Sequence, residues 1–318
     1  MVLKSSDKEM SAVLITSLPR VSIGVMAYNE ETHIAPAIRC IQLQSQENFI
    51  LDEILVVVSN STDGTEGVVR RLALEDKRIR LIIEPVRRGK IFSVKNYLSQ
   101  ARNEFCVVMS ADVFADRQCL DQLLVAASGN SAIGMIGPRV LTKYATNRPT
   151  FAFRLNRVLW DMHHELALIS PKLGELVMVR KSFIKEISTV AGCDEVMMEA
   201  SVINGGGVIA YCPTAVVSNY SMSRVAELFT VRRRIHIQHL TAQRLINYKA
   251  SSLGLKNALK SLHGQMMNHP SDTIFTGILC AFEILARVHA RIKVRSGENS
   301  MIWEPTHSAR QRMSEGEA

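Results

Sequence analysis

Four short β-branched runs, separated by longer amphipathic ones, constrain this chain more than any other feature. VSIGVMAY (21–28), EILVVV (53–58), RIRLII (78–83) and FCVVM (105–109) read as strands. THIAPAIRCIQLQ, EGVVRRLALE and IFSVKNYLSQAR, which lie between them, read as helices. The strands are apolar throughout rather than on one face, which requires a sheet covered on both sides. Their alternation with helices makes that sheet mostly parallel. The fold class is α/β, and in such sheets ligands bind outside the carboxyl ends of the strands. The residues just after each run are therefore the site candidates: Tyr28-Asn29-Glu30, Ser59-Asn60-Ser61-Thr62-Asp63 and Ser110-Ala111-Asp112.

Composition narrows the partners. The 318 residues, 47% of them apolar, can bury the core of one large domain or two ordinary ones. Six cysteines are scattered without a C-x-x-C pair, so free thiols in a reducing compartment are expected, which points to the cytoplasm. The first residues, MVLKSSDKEMSAVL, lack the apolar run of a signal peptide. The apolar run Thr273 to Phe282 is about half a membrane crossing, and no segment is expected to span a bilayer. A net charge of +8 favours an anionic partner: nucleotide phosphates, nucleic acid or an acidic membrane surface. Aromatic residues are only 6% and none interleave with the basic runs, which argues against nucleic acid.

The loop residues have a plain structural use as well. Asn29 and the Ser-Thr-Asp-Gly-Thr stretch can cap the helices that follow them, and Asp112 can cap a strand end. Taken in order, however, AYNEE (27–31), SNSTDGT (59–65), RRGK (87–90), Asn96 and SAD (110–112) follow successive strands. This ordered set closely resembles the family 2 glycosyltransferases, whose catalytic domain has the GT-A fold, and the resemblance covers about residues 20 to 240. The family counterparts are a Tyr-Asn-Glu strand end, an Asp-Gly-Ser-Thr-Asp loop, a Gly-Lys before a helix and an Asp-x-Asp motif. The resemblance implies a mostly parallel central sheet flanked by helices, followed here by a C-terminal helical extension. It implies that Asp112 holds a divalent ion, Mg or Mn, bound to the diphosphate of a nucleoside diphosphate sugar. It also implies a donor pocket shaped by Tyr28, Asn29, Glu30, Ser59, Asp63, Lys90, Asn96, Ser110 and Arg234. Ser110 replaces the first acid of the motif, and Val58-Ser59 replace a common Asp-Asp pair, so the base is left open.

The second half is expected to supply acceptor and catalyst. CDEVMMEASVINGGGVIAYCPTAVV (193–217) resembles the segment that carries the catalytic carboxylate, which makes Asp194 the expected base and Glu195 the alternate. The competing reading is that both are helix-start acids favoured by the N-terminal dipole. VRRRI (231–235) aligns with the Gln-x-x-Arg-Trp of processive relatives, keeping Arg234 but showing Val231 and Ile235, which argues for single transfers. One of His163, His164, His236 and His239 could join the metal, as a late histidine does in several GT-A enzymes. DTIFTGILCAFEILARVHARIKVR (272–295) reads as a helix with an apolar stripe through Ile274, Ile278, Ala281, Phe282, Leu285, Val288 and Ile292. Such a helix either lies on an anionic membrane or packs against the catalytic domain or a partner.

The expected organisation is an N-terminal extension (1–18), a GT-A catalytic domain (19–245), a helical extension (246–296) and a polar tail (297–318). The catalytic domain divides into a nucleotide-sugar half (19–125) and an acceptor half (126–245). The expected function is inverting, metal-dependent, non-processive transfer of one sugar from a nucleoside diphosphate sugar to an acceptor hydroxyl. A lipid-linked acceptor and peripheral contact with the inner face of the cell membrane belong to this reading. The alternative is a catalytically degenerate domain that binds a sugar nucleotide or serves as a scaffold. A nucleotidyltransferase is a weaker rival, because AYNEETH lacks a Gly-rich phosphate loop.

Overall fold

Every strand read from the sequence forms, with ends displaced by at most three residues. The computed structural model describes residues 18–144, 149–250 and 253–297, together with Ile302. The expected N-terminal extension and polar tail lie outside the described residues apart from Leu18, Gly297 and Ile302.

The first half is a series of parallel strands and crossover helices: β1 (Arg20–Ala27), α1 (Ile34–Gln42), β2 (Ile50–Ser59), α2 (Thr65–Glu75), β3 (Ile79–Glu84), α3 (Lys90–Gln100) and β4 (Phe105–Ser110). After it come β5 (Val113–Ala115), α4 (Cys119–Ser128), β6 (Ile133–Lys143), α5 (Phe151–Ile169), β7 (Leu176–Arg180), α6 (Asp194–Asn204) and β8 (Val208–Tyr220). All eight strands join one sheet in the order β3-β2-β1-β4-β7-β6-β8-β5. The pairs β1–β2, β2–β3, β1–β4 and β6–β8 are parallel. β7 runs antiparallel to both β4 and β6, and β5 runs antiparallel to β8. The fold is thus a mixed α/β sheet, mostly parallel, with flanking helices and a helical C-terminal region.

The strands are apolar on both faces because both faces are covered. Val21, Ile23, Val25, Ile54, Val56 and Val58 belong to one core, with Ile34 and Ile38 of α1 and Val69 of α2. Leu55, Val57, Cys106 and Val108 face the other, with Val94 and Tyr97 of α3 and Met197 of α6. Alternate residues along one strand thus serve two cores. Gly24 marks a close approach of α3 to β1. A Cβ there would lie 2.5 Å from the Tyr97 ring, which is fully buried and donates its hydroxyl to the Ser22 carbonyl at 2.7 Å. Gly24→Ala should therefore destabilise the protein by about 1–3 kcal/mol through overpacking, read as a lower urea midpoint with an unchanged slope.

A buried carboxylate secures the sheet edge away from the site. Glu53 is wholly buried and accepts hydrogen bonds from the Ser22 hydroxyl (2.7 Å), the Arg102 backbone N–H (2.7 Å) and the Arg80 and Arg102 guanidinium groups (both 3.1 Å). These bonds tie β1, β2, β3 and the start of β4 together at their amino ends. A buried charge is tolerated when it is fully hydrogen-bonded in this way.

Three long helices close the chain: α7 (Val225–Ile246), α8 (Leu255–Asn268) and α9 (Thr273–Arg295). They pack on α5 around a small core of Leu155, Val158, Leu228 and Leu279. Polar contacts fix α9 sideways: Arg232 of α7 bonds Glu283 at 2.6 and 3.0 Å, His236 meets the same carboxylate at 2.9 Å, and Arg157 of α5 bonds Asp272 at 2.6 Å. The face of α9 turned inward carries Thr276, Leu279, Ala286 and Ala290. Most of the apolar stripe read from the sequence points the other way, with Ile274, Ile278, Leu285, Val288 and Ile292 all exposed. Small residues win the inward face because they let α9 approach α5 and α7 closely. One expectation needs correction. The 26 residues Pro270–Arg295 are long and apolar enough to cross a membrane by length and composition, whereas the sequence reading counted only the run to Phe282.

Candidate active site

The loops after β1 and β2 are knitted to each other. Asn29, in the left-handed region at φ 55°, donates its backbone N–H to Ser61 Oγ at 3.0 Å and accepts from the Thr62 N–H at 2.7 Å. Glu30 donates its N–H to Thr65 Oγ1 at 2.8 Å. Asp63 accepts from the Glu31 N–H at 3.2 Å and the Thr65 N–H at 3.1 Å, so it organises the start of α2. Tyr28 carries the Arg87 guanidinium 3.6 Å above its ring. Ser59 is buried beneath this layer, and its hydroxyl has no hydrogen-bond partner in the protein. Asn96 faces β3 instead, donating to Glu84 at 3.1 Å and accepting from Gln100 at 2.8 Å.

Beyond β4 the sheet opens into a cavity of about 700 Å³. Lys90, Ser110, Asp112, Asp194, Glu195 and Arg234, six of the residues singled out from the sequence, line it together. Tyr28, Asn29, Glu30, Ser59, Asp63 and Asn96 do not line it; the first five lie at the neighbouring strand ends and in the loops after them, and Asn96 lies within α3.

Two lining residues were missed. Glu175 precedes β7 and takes the left-handed conformation at φ 63°, a costly state for a residue with a side chain. Its carbonyl accepts the Ser110 N–H at 3.4 Å, and its carboxylate accepts from Asn219 Nδ2 at 3.0 Å. Burial, then the neighbouring Asp112 charge, pushes the Glu175 carboxyl up to about 7. Asn219 is the last residue but one of β8, and its buried Oδ1 has no hydrogen-bond partner in the protein. A rule that inspects only the carboxyl ends of parallel strands passes over Glu175. β7 is antiparallel to β4, so its amino end lies beside the carboxyl end of β4. The available signal was the position of Glu175 at the start of the apolar run LVMVR.

Asp112, Glu175 and Asn219 line one end of the cavity, and the two carboxylates with the Asn219 amide oxygen offer a set of oxygen donors. Such a set fits a hard divalent cation of the Mg or Mn kind. A second cluster, Asp161, His269 and Asp272, brings three donor atoms within 4.8 Å of one another. Arg157 bonds Asp272 at 2.6 Å and stands 3.5 Å from Asp161, so an arginine already supplies the positive charge, and none of the three lines the cavity.

The catalytic candidates sit at the first turn of α6. Lys90, at the start of α3, places its ammonium 2.9 Å from Asp194 and 3.8 Å from Glu195. Burial opposes the lysine charge, but the two carboxylates more than offset it and hold Lys90 well above its usual range. Burial and the adjacent Glu195 push Asp194 up to about 6. Glu195 is half-buried, and although desolvation works to raise its carboxyl, Lys90, its helix-start backbone bond and Lys172 keep it below the usual value. Burial lowers the Arg234 guanidinium to about 10, against the pull of Glu195, Glu175 and Asp194. The four histidines lie elsewhere in the site or outside it. His164 bonds the Tyr211 hydroxyl at 2.6 Å and His236 bonds Glu283. His163 and His239 are driven neutral by burial, and the charges acting on them are those of Lys172 and Arg232 rather than Asp112.

Residues 22–182, half of the chain, match the model of the family described as Glycosyl transferase family 2. The chain belongs to this family. This family 2 chain is 27% identical over 128 residues to a dolichol-phosphate mannosyltransferase of Mycosarcoma maydis, covering 39% of this chain and 43% of that one. It is 31% identical over 96 residues to a GalNAc(5)-diNAcBac-PP-undecaprenol beta-1,3-glucosyltransferase of Campylobacter jejuni subsp. jejuni serotype O:2, covering 30% of each. The chain thus spans less than half the length of the curated relatives it matches. Among solved structures it is similar to the mannosyltransferase PcManGT from Pyrobaculum calidifontis in complex with GDP-Man and Mn²⁺. The TM-score is 0.63, at 19% identity and 89% coverage of both chains. That likeness is one of fold, and the fold is of the GT-A type.

Proposed function

We propose that this family 2 chain is an inverting, non-processive glycosyltransferase that moves one hexose from a nucleoside diphosphate sugar to an acceptor hydroxyl. The observation that carries the reading is the meeting of Lys90, Asp112, Glu175, Asp194, Glu195 and Arg234 on one cavity at the carboxyl edge of β4. The structural neighbour crystallised with GDP-Man and Mn²⁺, and the relatives named for dolichol phosphate and undecaprenol, support a sugar-nucleotide donor and a lipid-linked acceptor. In this reading residues 19–245 are the catalytic unit, and work takes place at the cytoplasmic face of a membrane.

The donor lies along the ends of β1 to β4. The loops around Asn29, Glu30 and Asp63 shape its nucleotide end, Ser59 offers its hydroxyl to the base or ribose, and Ser110 offers one to the ribose. Asp112, joined by Glu175 and Asn219, would hold a divalent ion, which when bound screens the charge of the donor diphosphate. Arg234 faces the leaving diphosphate, where charge-assisted hydrogen bonds strengthen as negative charge develops. Asp194 accepts the proton of the acceptor hydroxyl as its oxygen bonds the anomeric carbon and the bond to the diphosphate breaks on the opposite side. Lys90 keeps that carboxylate oriented through the 2.9 Å ion pair. Val231 and Ile235 stand where processive relatives carry Gln and Trp, which favours release after one transfer.

A thermal-shift panel with UDP, GDP, CDP and dTDP, each with and without Mn²⁺, tests the donor half. One nucleotide should raise the melting temperature only with metal, by an amount set by its concentration relative to its affinity. Stabilisation by none of them would remove the donor site and leave the scaffolding alternative.

A further inference from the structure

The last two helices carry large apolar side chains on the side turned away from the protein. On α9, Ile274, Ile278, Ile284, Leu285, Val288 and Ile292 are all exposed, Ile274 by 75% and Leu285 by 63%. On α8, Leu255, Leu259, Met266 and Met267 are exposed, and the first three recur at helical spacing. The cavity of the site continues as a cleft between α5, α7, α8 and α9, and Leu255, Leu259 and Ile284 line it while remaining exposed. The two apolar faces therefore meet at the mouth of that cleft and form one surface. Apolar surface of this extent marks an interaction site on a protein that otherwise meets water.

The charges around this surface have one sign. α8 contains no Asp or Glu, and Glu283 is the only acid of α9. Glu283 turns inward to Arg232 and His236, and Asp272, just before α9, is buried against Arg157. Lys256 and Lys260 of α8 and Arg291 and Arg295 of α9 are exposed. The two lysines directly follow Leu255 and Leu259, so their stems can lie along apolar surface while the ammonium groups stay in a polar layer. Apolar side chains bordered only by cations complement an anionic lipid surface.

The breadth of the face separates a lipid layer from a partner helix. A paired-helix seam is two rows wide and is flanked by charged positions that remain in water. On α9 every exposed residue from Thr273 to Leu285 is uncharged, including Gly277, Ala281 and Ile284 beside the Ile274–Ile278–Leu285 row. The inward contacts decide the orientation. Glu283 lies near the middle of α9 and is held by Arg232 and His236, while Leu279, Ala286 and Ala290 pack inward. A helix crossing the bilayer would carry this charged group into hydrocarbon or break it. Lying flat keeps every contact and lowers only the apolar face to the acyl boundary.

We propose that the outward faces of α8 and α9 dock on an anionic bilayer, with both helices in the plane of the interface and Lys256, Lys260, Arg291 and Arg295 among the headgroups. The inference rests on the membrane location given in the proposed function and adds the docking surface, the lipid charge and the orientation.

Flotation of the full chain with vesicles of phosphatidylcholine alone, or of equal parts phosphatidylcholine and phosphatidylglycerol, tests it. The thermal shift with nucleotide and Mn²⁺ is measured on the same samples. Binding to the anionic vesicles should be about tenfold or more tighter than to the neutral ones, and alkaline carbonate should release the chain. Lys256→Gln, Lys260→Gln and Arg295→Gln combined should weaken binding by about tenfold or more. Ile278→Glu combined with Leu285→Glu, at exposed positions outside the cavity, should weaken it as much and leave the melting temperature and the nucleotide shift unchanged. Absence of binding, equal binding to neutral vesicles, or wild-type binding by either variant would overturn the proposal. Retention through carbonate would show a crossing helix and overturn the in-plane placement. A dimer in the ultracentrifuge that Ile278→Glu with Leu285→Glu separates, with vesicle binding intact, would assign the face to a second copy instead. Vesicle binding without any nucleotide shift overturns the donor reading and leaves the docking surface in place.

Discussion

Replacing Asp112 by Asn should lower sugar transfer by about 10²–10³-fold or more, because one preorganised charge at a developing diphosphate is worth that much. The fold should not suffer. Asp112 is half-buried and its charge acts against Glu175, so an isosteric neutral residue removes a repulsion rather than a support. The melting temperature of the ligand-free variant is therefore expected to equal or exceed that of the parent. Release of nucleoside diphosphate, followed across a Mn²⁺ titration, reads the effect directly. Full activity with the parent's metal dependence would remove Asp112 from the metal site. Glu175→Gln gives a second reading of the same arrangement: the metal requirement should rise without loss of the fold.

Asp194→Asn should lower kcat by roughly 10²–10⁴-fold, the usual contribution of a positioned general base. The sign of its pH dependence follows from the environment. A base must be ionised, so activity should rise with pH through the Asp194 value of about 6 and level off above it. The Asn variant should lose that ascending limb. Glu195→Gln should keep it, since Glu195 is held ionised to lower pH by Lys90 and Lys172. If Glu195→Gln abolishes the limb and Asp194→Asn keeps it, the two roles are exchanged. A β-linked product from an α-linked donor, or the reverse, seen by NMR, would establish inversion; retention would rule out the single displacement proposed here.

The structural readings differ in how far they could be made from the chain alone. β1 to β4 and their crossover helices were legible because each segment carries its own periodicity, and a parallel strand that is apolar on both faces needs no partner to be recognised. Asp112 was legible for the same reason, as a carboxylate that follows a strand end. Glu175 was not, because its relevance depends on β7 running against β4. The Lys90–Asp194 ion pair was not legible either, since it joins the starts of α3 and α6. Both residues were named from the sequence, but nothing local shows that one would hold the other.

The helical extension separates the two levels most clearly. Sequence by itself determined that residues 272–295 form a helix with an apolar stripe and a basic end, because a period of 3.6 residues is a property of the segment. Which side of that helix meets the protein was decided only in three dimensions. Thr276, Ala286 and Ala290 face inward because Arg232 and His236 draw Glu283 toward α7, and small residues permit the close approach that those bonds require. The stripe is left outside, and the cleft beside it exists only because α5, α7, α8 and α9 meet there. Periodicity states which surfaces are apolar; non-local packing selects the surface that each one covers.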